Sequence, residues 1–183
     1  SFFILIQFNF KTILLGLSSM ILAFAYPFMK RFTYWPQLFL GITFNYGLIL
    51  GWVCIKNQIE LIPFLLYLGA IFWTLGFDTI YGYQDIKDDE IIGVKSTSIK
   101  FKNNPKYLIS LCYMIFILSL IFTGTLMNLN LLYFLLLIPI IFHLVKYQII
   151  NLMISSPDNC LKVFKSNNFL GFIIFLSFVL GKI

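Results

Sequence analysis

Apolar stretches long enough to cross a bilayer recur along the whole chain, and they leave few folds open. A hydrocarbon core about 30 Å thick needs about 20 helical residues. Runs of that length occupy 12–29, 34–55, 59–83, 107–127, 129–150 and 163–183, and a shorter one, 1–9, reads as the tail of another. Inside lipid every backbone polar group must find a partner within the protein, which leaves helices or closed barrels. A barrel needs short segments of alternating polarity, and the chain has none. The expected fold is all-α: a polytopic transmembrane helix bundle of six full spans plus the end of another. Composition agrees, with 60% of residues hydrophobic and 11% charged, against about 25% charged in soluble domains. The chain opens at Ser1 within an apolar stretch, with no initiator Met, basic leader or small-residue cleavage site. It therefore reads as starting mid-protein rather than with a signal peptide. No soluble domain or long linker interrupts it, so 1–183 reads as a single transmembrane domain, truncated at its N terminus.

The charges orient this bundle. Alternating spans put Lys30, Arg31, Lys87, Lys95, Lys100, Lys102, Lys106, Lys146, Lys162 and Lys165 at one end, and Lys11, Lys56 and Lys182 at the other. Basic residues collect on the side from which membrane proteins are inserted, so the rich end is expected to face the cytoplasm. The net charge of +6 follows from topology. It calls for anionic lipid headgroups as partners, not nucleic acid. A bacterial inner (plasma) membrane is the expected location, with the mitochondrial inner membrane as the alternative. Cys54, Cys112 and Cys160 are too far apart for a metal or disulfide pattern and read as small apolar filler. His143, the single histidine, reads as packed or interfacial.

Five of the seven acidic residues fall within thirteen positions: Asp78, Asp85, Asp88, Asp89 and Glu90. Carboxylates at a membrane edge are costly and mostly functional. At about 100° per residue, Asp78, Tyr81, Asp85 and Asp89 share one stripe about 80° wide, if the helix persists that far. Asp85 and Asp89 repel unless a cation lies between them. Hard carboxylate oxygens suit Mg²⁺, which bridges readily to phosphate, and Lys95 is close enough in sequence to take another phosphate oxygen. A solvated acidic helix end balanced by Lys87 and Lys95 is the plainer alternative. An EF-hand loop fails, because Lys87 and Glu90 occupy its third and sixth positions. A cation pathway usually places its carboxylates deeper and on facing helices.

The pattern Asp78, Tyr81, Asp85, Asp88 and Asp89, followed by Gly93, Lys95 and Ser96, resembles the second aspartate-rich motif of the UbiA family of intramembrane prenyltransferases. It is especially similar to the branch that prenylates 4-hydroxybenzoate. Two more stretches agree in order. Tyr26-Pro27-Phe28-Met29-Lys30-Arg31, with Pro36-Gln37 and Leu40-Gly41 after it, resembles an earlier loop and helix of the family. Phe164-Lys165-Ser166-Asn167-Asn168-Phe169-Leu170-Gly171 resembles the entry to its last helix.

The resemblance implies a nine-helix bundle around a cavity open sideways to lipid, of which this chain would supply the end of the third helix and the fourth to ninth. The family's first aspartate motif has no counterpart, since Glu60 and Asp158 are the only acidic residues outside the cluster. The chain alone is therefore expected to be inactive. The implied reaction joins a polyprenyl diphosphate to the ring of 4-hydroxybenzoate in ubiquinone biosynthesis, with Mg²⁺ as cofactor. Asp85 and Asp89 would be the metal ligands, and Asp78 would orient them or act near the ring. Lys95 would hold diphosphate, and Arg31 would clamp a carboxylate or diphosphate bidentately. Lys30 is a substrate contact or an orientation charge. Tyr81 is a substrate contact or one aromatic among many, and Asn167 and Asn168 cap the last helix or line the cavity. Another acceptor within the family, or a cation-coupled transporter, are the competing readings.

Overall fold

A computed structural model describes residues 2–183, and every regular element among them is helical. A short α1 (Phe2–Leu5) precedes six helical segments long and apolar enough to cross a membrane. The first joins α2 (Phe10–Ala25), a tight turn (Tyr26–Phe28) and α3 (Met29–Phe32). The second is α4 (Pro36–Phe44) followed by α5 (Gly47–Lys56), and the third is the unbroken α6 (Leu61–Gly82). Two short helices, α7 (Ile86–Ile92) and α8 (Thr97–Lys100), cross the polar interval. The fourth span is α9 (Pro105–Leu126), and the fifth is α10 (Leu131–Phe142) running into a wider π-helical stretch (His143–Ile150). The sixth is α11 (Pro157–Lys165) and α12 (Asn167–Lys182).

Six spans match the expected number, but hydropathy misplaces two boundaries. The first span continues past 29 through Lys30 and Arg31. The last begins at Pro157, not near 163, because α11 is amphipathic. Its Asp158, Lys162 and Lys165 mask a buried face of Cys160 and Val163. Asn45 breaks the second span. Its Nδ2 donates to the carbonyls of Gly41 and Ala70 and to Thr74 Oγ1, at 2.9, 3.2 and 2.8 Å, tying the bend to α6.

Hydrogen bonds at the two ends reproduce the charge-based topology. Lys11 Nζ donates to Asn57 O at 2.9 Å, and Asn130 N donates to Gly181 O at 3.0 Å, at the sparsely charged end. At the basic end Lys95 N donates to Lys30 O at 3.0 Å, and Lys106 Nζ to Ile150 O at 3.1 Å.

The packing centres on α6, which lies against α4, α5, α9 and α11, while α10 pairs with α12. Gly41 lets α4 approach the α6 backbone. A Cβ there would stand 2.8 Å from Ile71 O, which cannot yield as a side chain would. Large side chains such as Phe24, Phe44, Leu131 and Phe175 point outward, as a lipid solvent permits. Most polar groups inside are matched, Trp52 Nε1 and Thr123 Oγ1 being the exceptions among the described residues. Asn167 Oδ1 accepts from Trp73 Nε1 and from Gln148 Nε2, both at 2.9 Å, and Tyr113 donates its hydroxyl to Gln148 Oε1. Asn167 therefore does not cap the last helix: its amide is turned into the core, and that helix has no side-chain cap. His143 packs beside this cluster, its ring stacked on Tyr147 at 5.3 Å.

Candidate active site

The acidic stretch does not continue α6. That helix stops at Gly82, and Tyr83, next in the chain, is buried at 2% exposure. A turn through Gln84 leads to Asp85, and α7 starts at Ile86. A straight helical stripe through Asp89 is thus not formed, yet the fold reunites its members. Asp78, Tyr81, Asp85 and Asp89 line one cavity of about 160 Å³, with Tyr26, Lys30, Gln37 and Ser96.

Three elements build this cavity at the basic end of the bundle. Asp78 sits one turn inside the end of α6. Asp85 and Asp89 come from the start of α7, where Asp89 N donates to Asp85 O at 2.9 Å. Aspartate at the residue before a helix commonly caps it, but the Asp85 side chain makes no capping bond. From α3 and α4 come Lys30 and Gln37.

The loop after α7 closes the rim. Gly93 ends α7 in the left-handed region, φ +78°, where glycine avoids the Cβ penalty. Ser96 caps α8 by accepting from Ile99 N at 3.2 Å. Thr97 N donates to Gln37 Oε1 at 3.0 Å, and Ser98 Oγ to Thr79 O at 2.8 Å. The loop is thereby stitched to both α4 and α6.

The five acidic residues have separate fates. Glu90 pairs with Lys102 at 2.6 Å on the surface, and Asp88 is exposed outside the cavity lining. Asp78, Asp85 and Asp89 make no side-chain hydrogen bond or ion pair with any described residue, although they share a cavity. Partial burial lifts the Asp89 carboxyl above its ordinary range. Lys30 pulls it back down, and the like charges of Asp85 and Asp88 push it further up. A carboxylate so placed gains from a cation.

Among the described residues no three His, Cys, Asp or Glu side chains converge on one metal position. The residues fit the other arrangement Mg²⁺ uses, one or two carboxylates completed by water and substrate phosphate. Asp85 and Asp89 supply that hard, uncommitted oxygen pair.

Of the other residues singled out from the sequence, Tyr81 lines the cavity and lays its ring on Phe164 at 4.7 Å between centroids. Lys95 lies behind the rim, its Nζ 5.7 Å from the Tyr34 ring centroid. Arg31 is exposed on α3 and is absent from the lining, whereas its neighbour Lys30 is present. Sequence reading assigned no role to Tyr26 or Gln37. The signal was a polar side chain, Gln37, at the start of an otherwise apolar span.

Fold and cavity together define a polytopic helical membrane protein with a carboxylate-lined pocket at the charged end of its bundle. The model of the UbiA prenyltransferase family matches residues 1–179, and the chain belongs to that family. It is 43% identical over 181 residues to the mitochondrial 4-hydroxybenzoate polyprenyltransferase of Drosophila pseudoobscura pseudoobscura, covering 98% of this chain and 45% of the relative. The Homo sapiens protein of the same name is 41% identical, with 98% and 48% covered. The 4-hydroxybenzoate geranyltransferase 1 of Lithospermum erythrorhizon is 39% identical, with 98% and 59% covered. The chain thus spans about half the length of the curated relatives it matches. No solved structure matches it.

Proposed function

We propose that residues 1–183 are part of one transmembrane prenyltransferase domain, truncated at its N terminus, and that the whole protein transfers a polyprenyl group from a polyprenyl diphosphate to the aromatic ring of 4-hydroxybenzoate, as in ubiquinone biosynthesis. The observation that carries the reading is the set of three carboxylates, free of protein partners and facing Lys30, in one cavity at the membrane edge. The names of the relatives support the acceptor.

Each residue has a task in this reading. Asp85 and Asp89 would hold a divalent ion, Mg²⁺, whose chemistry is to neutralise charge on the diphosphate. Lys30, in the same lining, binds a diphosphate oxygen. Lys95 and Arg31, outside the lining, serve substrate groups that extend beyond the cavity. The allylic carbon–oxygen bond breaks with its electron pair on the diphosphate, the allylic carbon bonds the ring carbon ortho to the hydroxyl, and the ring proton leaves. Asp78 orients the acceptor or takes that proton. Tyr81 offers its π face to the positive charge developing on the allylic carbon. The isoprenoid tail stays in lipid.

Several relatives are named mitochondrial, which supports a mitochondrial membrane over the bacterial plasma membrane expected from charge alone. A transporter is less well supported, because the carboxylates cluster at one end of the bundle.

The test is prenyl transfer in membranes carrying the full reading frame, supplied with 4-hydroxybenzoate, a long-chain prenyl diphosphate and Mg²⁺, beside an EDTA control. A prenylated hydroxybenzoate that vanishes with EDTA supports acceptor and metal together. Transfer to a different aromatic acid alone would overturn the acceptor.

A further inference from the structure

Gln37 is 6% exposed, yet it lines the acidic cavity. Its amide has one defined orientation. The Thr97 backbone N–H can only donate, so the group it meets at 3.0 Å must be the carbonyl oxygen Oε1. That bond fixes the flip of the amide and leaves the NH₂ group to the cavity side. Nε2 has no acceptor among the described residues. Nε2 is not sealed in the core but open to the cavity space, where a donor without a protein acceptor is free to meet a ligand oxygen. Three uncommitted carboxylates share the cavity, but none lies within hydrogen-bond distance of Nε2.

We propose that Gln37 Nε2 is a ligand-binding donor that contacts an anionic oxygen of the molecule held in this cavity. Asp78, Asp85 and Asp89 repel such an oxygen, and Lys30 alone attracts it from the lining by full charge. A neutral donor in the same lining adds attraction without competing for a cation. It also gives direction, since its plane is locked by Thr97. The oxygen belongs to a diphosphate or to an aromatic carboxylate. The inference rests on the prenyl-transfer reading for the identity of the ligand.

The test uses the full-length protein with Gln37→Glu and Gln37→Met. Glutamate keeps an acceptor for Thr97 N–H and removes the donor. Methionine removes both at similar size. Direct binding of inorganic pyrophosphate with Mg²⁺, and separately of 4-hydroxybenzoate, is measured alongside the two KM values. Proteolysis of the 93–98 loop reports whether the tether survives. Expected for both variants is at least about tenfold weaker binding of one ligand, the size of a lost hydrogen bond to a charged group, with an intact loop in Gln37→Glu. Weakening by Gln37→Glu alone would report its added charge and overturn the proposal. The ligand affected identifies the oxygen. Unchanged binding of both by Gln37→Glu, with loosening of the loop only in Gln37→Met, would overturn the proposal and leave Gln37 as a tether. Binding that depends on Gln37 in a protein without prenyl transfer would uphold the contact while the prenyl-transfer reading fails.

Discussion

The hydroxyls of Thr79 and Thr97 meet at 2.7 Å in a site with no exposure to solvent. Thr79 commits its proton to Leu75 O at 2.6 Å, so Thr97 is the donor to Thr79. Thr79 follows Asp78 on α6, and Thr97 ends the loop that closes the rim. The pair therefore ties the position of one cavity carboxylate to that of the loop. Thr79→Val removes the acceptor and strands the Thr97 hydroxyl, at a cost of about 1–3 kcal/mol. The expected result is a lower unfolding temperature in detergent and faster proteolysis at 93–98. An unchanged loop would show that Gln37 and Ser98 hold it unaided.

Asp85→Asn and Asp89→Asn each keep the shape of the cavity and remove one charge from the oxygen pair. Each is expected to abolish most prenyl transfer in the full-length protein, at least about a hundredfold, as removal of a charge-stabilising group commonly does. Membrane insertion should be unaffected. Asp88→Asn, outside the lining, should cost less than about threefold, since exposed charges contribute little. Near-normal turnover by both first variants would sink the metal-ligand assignment.

Lys30 and Arg31 are neighbours on α3, but Lys30 alone lines the cavity. Lys30→Met is expected to raise KM for the prenyl diphosphate by about tenfold or more, the worth of a charge-assisted hydrogen bond. Arg31→Met should change it by less. Steady-state kinetics on the two variants would separate them, and an equal rise would return Arg31 to the diphosphate site.

Asn167 joins α12 to α6 and to the π-helical stretch through Trp73 and Gln148. Asn167→Leu leaves Trp73 Nε1 without its acceptor and Gln148 Nε2 with only His143 Nδ1, at 3.4 Å. Trp73→Phe loses one donor and retains the ring stack on Phe116, whose centroid lies 5.2 Å away. Membrane hydrogen bonds average only about 0.6 kcal/mol in double-mutant measurements, so the comparison matters more than either value. Thermal unfolding in detergent should place Asn167→Leu below Trp73→Phe, and the reverse order would mean that packing of the indole outweighs the network.

Hydrophobicity along the chain determined the all-helical class, the number of spans and their alternation, because lipid demands long apolar helices and leaves no cheaper solution. Lysine positions determined which ends share a side, and the density of aspartates marked where the candidate site lies. What sequence patterning could not settle was how the acidic cluster divides. Glu90 is taken by Lys102 and Asp88 faces outward, while the helix break at Gly82 and Tyr83 carries Asp85 and Asp89 back over Asp78. The packing of α4 on α6, made possible by Gly41 against Ile71, brings Gln37 to the cavity, and Lys30, whose carbonyl accepts from Lys95 N, reaches it from α3. A hydropathy pattern records how each residue meets its solvent. It carries no record of which helix lies opposite, and a site walled by separate helices is decided by that packing alone.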